Sequence, residues 1–222
     1  MKKVKIVLAV FDAELKPFEI PAFRGAVVEK VGRENVLFHN HLDNKEYLYK
    51  YPLIQYKSIQ GKPGVMCIDE GADEIHKFFQ KKDWSVFIGE KKLDMPIYQL
   101  IINQAAVDVA EIKRKYSIKS WIALNQENYK GYLQKESMVE RLEMLQKVLT
   151  ANIISFAKGI GWDVDQQIKV DITTIHNSRP VNFKRQKVMA FDLDFTMNVA
   201  LPDYVGLGKG VSLGFGTVKN KQ

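Results

Sequence analysis

The sequence predicts an α+β fold in two parts, and three observations carry that prediction. Residues 4–11 (VKIVLAVF) form a nearly unbroken apolar run. Gly61, Pro63 and Gly64 punctuate two further apolar runs. Residues 189–201 alternate apolar and polar side chains along their whole length. The first pattern is that of a strand buried on both faces, the second of a hairpin, and the third of a strand with one wet face. At 222 residues the chain has room for one large domain or two of roughly 100 residues each.

In chain order, the strand at 4–11 is followed by Pro17 and Pro21, which open a helix over 22–31 that Gly32 closes. A loop with two histidines leads to strands at 53–58 and 65–68, joined by the Gly-Pro-Gly turn. Residues 73–80 read as a short helix and 85–88 as a strand. The order is β-α-β-β-α-β, which is ferredoxin-like (RRM-like). The second part begins near Asp94, so the expected domains are 1–93 and 94–222. It holds a long strand at 98–110, a short one at 120–124, and the longest helix at 135–157, ended by Gly159 and Gly161. Met138, Leu142, Leu145, Val148 and Ile153 form that helix's apolar stripe. In 189–201, Met189, Phe191, Leu193, Phe195, Met197, Val199 and Leu201 share one face, and Asp192, Asp194, Thr196 and Asn198 the other. A last strand is expected at 213–219.

Composition narrows the class of function. Hydrophobic residues at 46% and charged ones at 27% exclude disorder. The 33 Lys+Arg against 26 Asp+Glu give a net charge of +7, which suits a polyanionic partner, nucleic acid or an anionic membrane. A single cysteine, Cys67, in an apolar strand run, excludes an internal disulfide and a multi-cysteine metal site. Met1-Lys2-Lys3 followed by apolar residues resembles a secretory leader, but Lys5 interrupts the run, and Asp12 and Glu14 close it with no small-residue cleavage site. No stretch approaches the roughly 18 apolar residues of a membrane span. The expectation is a soluble, cytoplasmic protein.

Four histidines are present, and two of them stand in one tripeptide, His39-Asn40-His41. In extended chain, residues i and i+2 point the same way, so this pair converges. Three readings are open. A pair of imidazoles supplies both the base and the acid needed to cut RNA through its own 2′-hydroxyl, with a cation such as Lys57 against the charge that develops on phosphorus. Alternatively, His39, His41 and Asp43 open the H-x-H-x-D-H motif of metallohydrolases, although Asn44 stands where its last histidine belongs and a zinc site needs at least three protein ligands. The third reading is two loop histidines without a role. His76 sits on a short amphipathic helix as a surface residue, and His176, after an alternating strand, is a second-choice catalytic residue or RNA contact. Lys184, Arg185 and Lys187 form a basic cluster able to grip RNA. Asp192 and Asp194 share a strand face as a solvated pair, with no third carboxylate nearby in sequence.

The end of the chain is its most distinctive part. Gly206-Leu207-Gly208, five residues, then Gly214-Phe215-Gly216 fits neither a Walker A loop nor a dinucleotide fingerprint. Backbone at Gly206, Gly208, Gly210, Gly214 and Gly216 can approach a phosphate closely, with Lys209 as a cation, or the stretch is simply a tight hairpin.

That spacing resembles the G-h-G-x5-G-h-G signature of the repeat-associated mysterious proteins (RAMPs), the superfamily that includes the CRISPR repeat-processing endoribonucleases of the Cas-six family. The stretch 36–57, with His39-Asn40-His41 and Tyr56-Lys57, is similar to the amino-terminal part of the b-type branch, where a histidine pair separated by one residue is linked to catalysis. The resemblance implies two tandem ferredoxin-like domains that bind precursor CRISPR RNA in antiviral defence. It implies cleavage within each repeat by 2′-hydroxyl attack, giving a 2′,3′-cyclic phosphate and a 5′-hydroxyl, without a metal or other cofactor. His39 and His41 are then the general acid and base, and Lys57 and Tyr56 are candidate transition-state stabilisers. Further subunits of an RNA-guided interference complex and a second copy of the chain are candidate partners; a membrane is not. A non-cleaving repeat-RNA-binding module and a metallohydrolase built on His39, His41 and Asp43 are the alternatives.

Overall fold

A computed structural model describes residues 1–39 and 51–221. The chain divides into two compact units. One comprises Lys3–Ala105 with Ser212–Gly214, the other Met1–Lys2, Ala106–Val211 and the C-terminal stretch from Phe215.

The first unit begins with β1 (Lys2–Phe11), in which every residue from Ile6 to Phe11 is buried, as an unbroken apolar run requires. α1 (Ile20–Val31) carries Pro21 in its first turn, where the missing N–H is no loss, and stops at Gly32 with φ +108°. A single turn, α2 (Val36–His39), precedes the hairpin β2 (Ile54–Ile59) and β3 (Lys62–Ile68). The hairpin turns on Gln60 and Gly61, both at positive φ, and Pro63 and Gly64 lie inside β3. Val7, Ala9 and Phe11 of β1 pack with Phe23 and Val27 of α1 and with Tyr56 and Cys67. Phe23 meets Tyr56 edge-on at 5.7 Å. Each such side chain contributes about 1.5–3 kcal/mol by leaving water.

Two expectations for this unit need correction. The helix read at 73–80 is two short pieces, α3 (Glu70–Glu74) and α4 (His76–Phe79). The strand read at 85–88 is β4 (Val86–Ile88), and it lies outside the main sheet. Gly89 at φ +61° turns it back onto β5 (Lys91–Leu93) as a separate two-stranded ribbon. The fourth strand of the main sheet is instead β6 (Ile97–Val107), and the strand order is β2-β3-β1-β6. β6 therefore belongs with β1, although it lies beyond residue 93, where the sequence reading ended the first domain.

The second unit contains β7 (Val109–Trp121), α5 (Gln126–Leu133), α6 (Met138–Gly159), β8 (Val170–Phe183), β9 (Gln186–Val199) and β10 (Thr217–Lys221). Its sheet order is β10-β7-β9-β8, antiparallel at all three junctions. This is again the ferredoxin-like order, without the second helix. Between β9 and β10 the chain returns through the glycine-rich stretch, whose only helical piece is a 3-10 turn at Val211–Leu213. α6 starts at Met138, three residues later than the sequence reading, and is capped by Ser137, which accepts from the Glu140 amide while the Glu140 carboxylate reaches back to the Ser137 amide. The buried stripe of α6 is Leu145, Leu149, Ile153, Phe156 and Ala157; Met138 is exposed. It docks on the sheet through Trp121, whose indole N–H donates to Asn152 (3.0 Å). In β9, Phe191, Leu193, Phe195, Met197 and Val199 are buried, as the alternation requires.

The glycine stretch closes by pairing with itself. The Leu207 amide donates to the Gly216 carbonyl at 2.8 Å, and Gly206 bridges Thr217. A Cβ on Gly216 would lie 1.8 Å from the Leu207 carbonyl oxygen, and φ there is +64°. Gly216→Ala is expected to cost at least about 2 kcal/mol, combining left-handed backbone strain with a steric clash. Gly131, in the middle of α5 with nothing within 4 Å of its would-be Cβ, is the control. Gly131→Ala should stabilise by about 0.5–1 kcal/mol. Urea midpoints of the two variants at unchanged slope test both values.

Candidate functional site

The histidine pair straddles the edge of what the structure describes. His39 is described and half-buried; Asn40, His41, Asp43 and Asn44 lie outside the described residues. Three side chains, from α1, β2 and the loop before α2, hold the turn that ends in His39. The Tyr56 hydroxyl, fully buried, donates to the Phe38 carbonyl at 3.0 Å. Arg24 of α1 donates to the carbonyl of His39 itself. The Asn35 amide donates to the Val31 and Gly32 carbonyls at 3.0 and 3.3 Å, tying the turn to the end of α1. His39 Nε2 stands 2.6 Å from the Arg33 carbonyl. A carbonyl only accepts, so Nε2 carries the proton, and Nδ1 is the basic nitrogen of the neutral ring.

His39 borders an open hollow of about 310 Å³ with Arg24, Gly25, Val28, Glu29 and Arg33. The two arginines bring cations to one histidine, and Glu29 holds the exposed Arg33 at 2.9 Å. Sequence reasoning missed both arginines. The available signal was helical spacing: 21, 24, 25 and 28 fall on one face of α1, and Arg24 is the single charge in its first two turns.

The other predicted residues fall in different surroundings. Tyr56 and Lys57 are both buried in β2. Burial drives the Tyr56 phenol well above its ordinary pKa and brings Lys57 down to about 7. His76 is exposed on α4, its Nδ1 at 2.6 Å from the Asp73 carbonyl. His176 projects from β8 toward Asp194, with Nε2 at 2.8 Å from the carboxylate, and Lys221 of β10 reaches the same oxygen at 2.5 Å. Burial raises the Asp194 pKa, but the hydrogen bonds from Lys221 and His176 outweigh it and hold the group below the ordinary carboxylate range. Asp192 accepts from Arg179 and from the Ser120 amide, both at 2.6 Å. The two aspartates of this strand face are thus matched to cations. Among the described residues, no group of three or more histidine, cysteine or acidic side chains stands where a metal ion could be held.

The basic cluster and the glycine stretch meet in the second unit. Lys184 and Arg185 form the two-residue tip of the β8–β9 hairpin, both at positive φ, the turn whose twist suits an antiparallel pair. The Lys184 ammonium lies over the Phe183 ring at 5.8 Å, and that ring meets Phe215 edge-on at 5.8 Å. A Cβ on Gly210 would come within 2.8 Å of both phenylalanines. Lys187 and Lys209 are exposed. The amides of Leu207, Lys209, Phe215 and Gly216 donate to carbonyls of the protein itself. The glycines therefore give the backbone room to pack against itself, and the cations beside them face solvent.

Comparisons agree along the whole chain. Residues 2–106 match the family model of the Cas6b N-terminal domain, and residues 108–221 that of the Cas6b C-terminal domain. A crystal structure of Cas6b superposes with a TM-score of 0.91 at 27% identity, covering 99% of this chain and all of that one. A crystal structure described as the CRISPR RNA processing endoribonuclease Cas6b superposes with a TM-score of 0.75 at 26% identity and the same coverage. A type IV Cas6 crRNA endonuclease, Csf5, shares the fold at 12% identity and a TM-score of 0.59. An uncharacterized protein of Methanocaldococcus jannaschii is 34% identical over 137 residues, 59% of this chain and 92% of that protein.

The lowered pKa of Lys57 has a sign that can be measured. Its folded pKa of about 7 lies below the unfolded value of 10.5, so between these limits the unfolded chain binds the extra proton, and this group's contribution to stability rises with pH. Replacing it by methionine removes that rise. The stability difference between Lys57→Met and wild type should therefore move steadily in favour of wild type from about pH 7 to about pH 10.5, as read from urea midpoints of the two proteins side by side.

Proposed function

The chain belongs to the Cas6b family, and from that premise we propose that it is an endoribonuclease that binds precursor CRISPR RNA and cuts within the repeat, with His39 and His41 as its acid–base pair. The observation that carries the chemical reading is the setting of His39. Its turn is fixed by Tyr56 and Arg24, its Nε2 proton is directed at the Arg33 carbonyl, and two arginines share its hollow.

RNA brings its own nucleophile. One imidazole takes the proton of the 2′-hydroxyl as its oxygen attacks the adjoining phosphorus. The second, protonated, gives its proton to the departing 5′ oxygen as the P–O5′ bond breaks. The products are a 2′,3′-cyclic phosphate and a 5′-hydroxyl, and no water or metal enters the balance. Arg24 and Arg33 are suited to the negative charge that builds on the phosphoryl oxygens, because guanidinium forks match that geometry. Tyr56 acts as a positioning residue through the Phe38 carbonyl. Lys184, Arg185, Lys187 and Lys209 supply phosphate contacts, with Gly206, Gly208, Gly210, Gly214 and Gly216 shaping the backbone beside them. His176, oriented by Asp194 at 2.8 Å, is the second choice for an acid–base group. No helix among the described residues is long and apolar enough to cross a membrane, and the proposed place of action is the cytoplasm. Other subunits of an interference complex and a second copy are the proposed protein partners.

In the presence of EDTA, the protein is expected to cut repeat RNA from the CRISPR array of its own genome and to leave an RNA with one 2′-deoxy residue at the cut site intact. His39→Ala and His41→Ala should each lower the single-turnover rate by about 10²- to 10⁴-fold while RNA binding persists. Tight binding by wild type without cleavage would establish the non-cutting module instead, and activity only on addition of a divalent metal would establish the metallohydrolase. Separately, Lys209→Ala should weaken binding to repeat and unrelated RNA alike and flatten the plot of log affinity against log salt by about one unit of slope. An unchanged slope removes Lys209 from the phosphate contacts.

A further inference from the structure

A second hollow, of about 170 Å³, lies in the second unit between the start of α5 and the β8–β9 hairpin. Leu124, Tyr129, Pro180 and Met189 give it an apolar lining, and Gln126 and Lys187 line it as well. Pro180 and Met189 are direct partners across the two strands, so the hairpin fixes one side of the hollow rigidly. Tyr129 is the last of a series of rings. Phe191, buried in the sheet, meets Tyr132 edge-on at 5.9 Å, and Tyr132 lies nearly parallel to Tyr129, with centroids 6.0 Å apart and planes 16° apart. Arg141 stands over the Tyr132 ring at 5.6 Å.

Size, shape and charge together select an occupant. The volume is well below the roughly 300–1,000 Å³ of pockets for drug-sized ligands, which suits one planar ring system. An aromatic wall holds a flat π face by stacking, and the Gln126 amide both donates and accepts, as the edge of a nucleobase does. Lys187 puts a cation at the hollow, and the same hairpin carries Lys184 and Arg185 at its tip. A base carried between two phosphates uses both the ring wall and the cations, whereas an apolar side chain would leave the cations unmatched. We propose that this hollow takes one unstacked base of the bound RNA, stacked on Tyr129, with Lys187 on an adjoining phosphate. The assignment rests on the RNA-binding reading above and deepens it: it is a specificity subsite distinct from the histidine turn.

The test uses the full chain and a panel of non-cleavable repeat RNAs (2′-deoxy at the cut site), each with one base replaced by an abasic residue. One position should lower affinity by about 5- to 150-fold, the size of a single base–aromatic stack. Tyr129→Ala should lower affinity for the intact RNA by the same factor and add nothing on the RNA abasic at that position, while Tyr129→Phe keeps wild-type affinity. Should Tyr129→Ala fail to fold, Met189→Trp, which fills the hollow from its opposite wall, makes the same comparison. Losses that multiply at every abasic position overturn the proposal, as does unchanged affinity of the variants for intact RNA. Unchanged affinity accompanied by altered self-association would give the hollow to a side chain of a second copy. If wild type binds no repeat RNA at all, the RNA-binding reading falls first and takes the subsite with it; if wild type binds and only the Tyr129 comparison fails, the subsite alone is lost.

Discussion

The second unit depends on one close backbone approach. The Leu207 carbonyl occupies the space where any side chain on Gly216 would begin. A ferredoxin-like unit ordinarily returns from its third strand to its fourth through a helix. Here the return runs through residues 200–216, with only a 3-10 turn, and must still deliver β10 in register beside β7, with Val218 opposite Ile118. The pairing of Leu207 with Gly216 and of Gly206 with Thr217 makes that delivery. Gly208 at φ +90° lets the same loop pass the indole of Trp121, whose N–H is fixed on Asn152 of α6. The helix, the sheet and the loop thus lock through one corner, which explains glycine at 208 and 216 by packing alone.

The first unit solves a different problem, that of holding a single exposed-end turn in place. α2 is four residues long and too short to persist by its own hydrogen bonds. Its stability comes from outside: the carbonyls at its end accept from a buried tyrosine and an arginine, and Phe38 is itself buried. A buried hydroxyl without a partner costs about 1–3 kcal/mol, so Tyr56 and the turn fix each other. Tyr56, read from sequence as a candidate transition-state stabiliser, donates to the Phe38 carbonyl and so helps to fix where His39 can be. The distance along the chain from Phe38 to Tyr56 is what hid this from sequence reasoning.

Legibility in the sequence followed whether a signal was local. The burial of β1, the alternation of β9 and the hairpin near Gly61 are periodicity and turn chemistry, and they read directly. β7 did not, because Glu111, Lys113, Arg114, Lys115 and Lys119 interrupt the apolar pattern, and of its buried residues Val109, Tyr116, Ile118 and Trp121 only Tyr116 and Ile118 stand at the two-residue spacing of a strand. β6 was seen as a strand but could not be given its sheet, since pairing with β1 is a tertiary choice that no local pattern encodes. The α6 stripe was read one step off, on Met138 and Val148, because Met and Leu recur so often along the helix that two neighbouring stripes fit 3.6-residue spacing, and only the sheet decides between them. The histidine pair stood out as a rare residue repeated at i, i+2; Arg24 and Arg33, common residues on a helix and just past it, did not.

The division of labour proposed for the two units follows from what each kind of group can do. Two imidazoles lower a barrier only if the phosphate and the 2′-hydroxyl are already held in line, and acid–base groups by themselves contribute little to that holding. Phosphate contacts supply affinity without regard to sequence. Of the groups proposed to contact RNA, the hairpin cations Lys184, Arg185 and Lys187, together with Lys209, are of this kind. Discrimination among repeats then requires a contact that reads a base, and in an RNA that means an unpaired one met by a ring and a polar edge. The aromatic series ending at Tyr129 shares a hollow with Lys187, one of those cations, in the same unit. On the proposed reading, binding energy realised there helps to orient the scissile phosphate, so a substitution remote from the histidines should change the rate of the cut as well as the affinity.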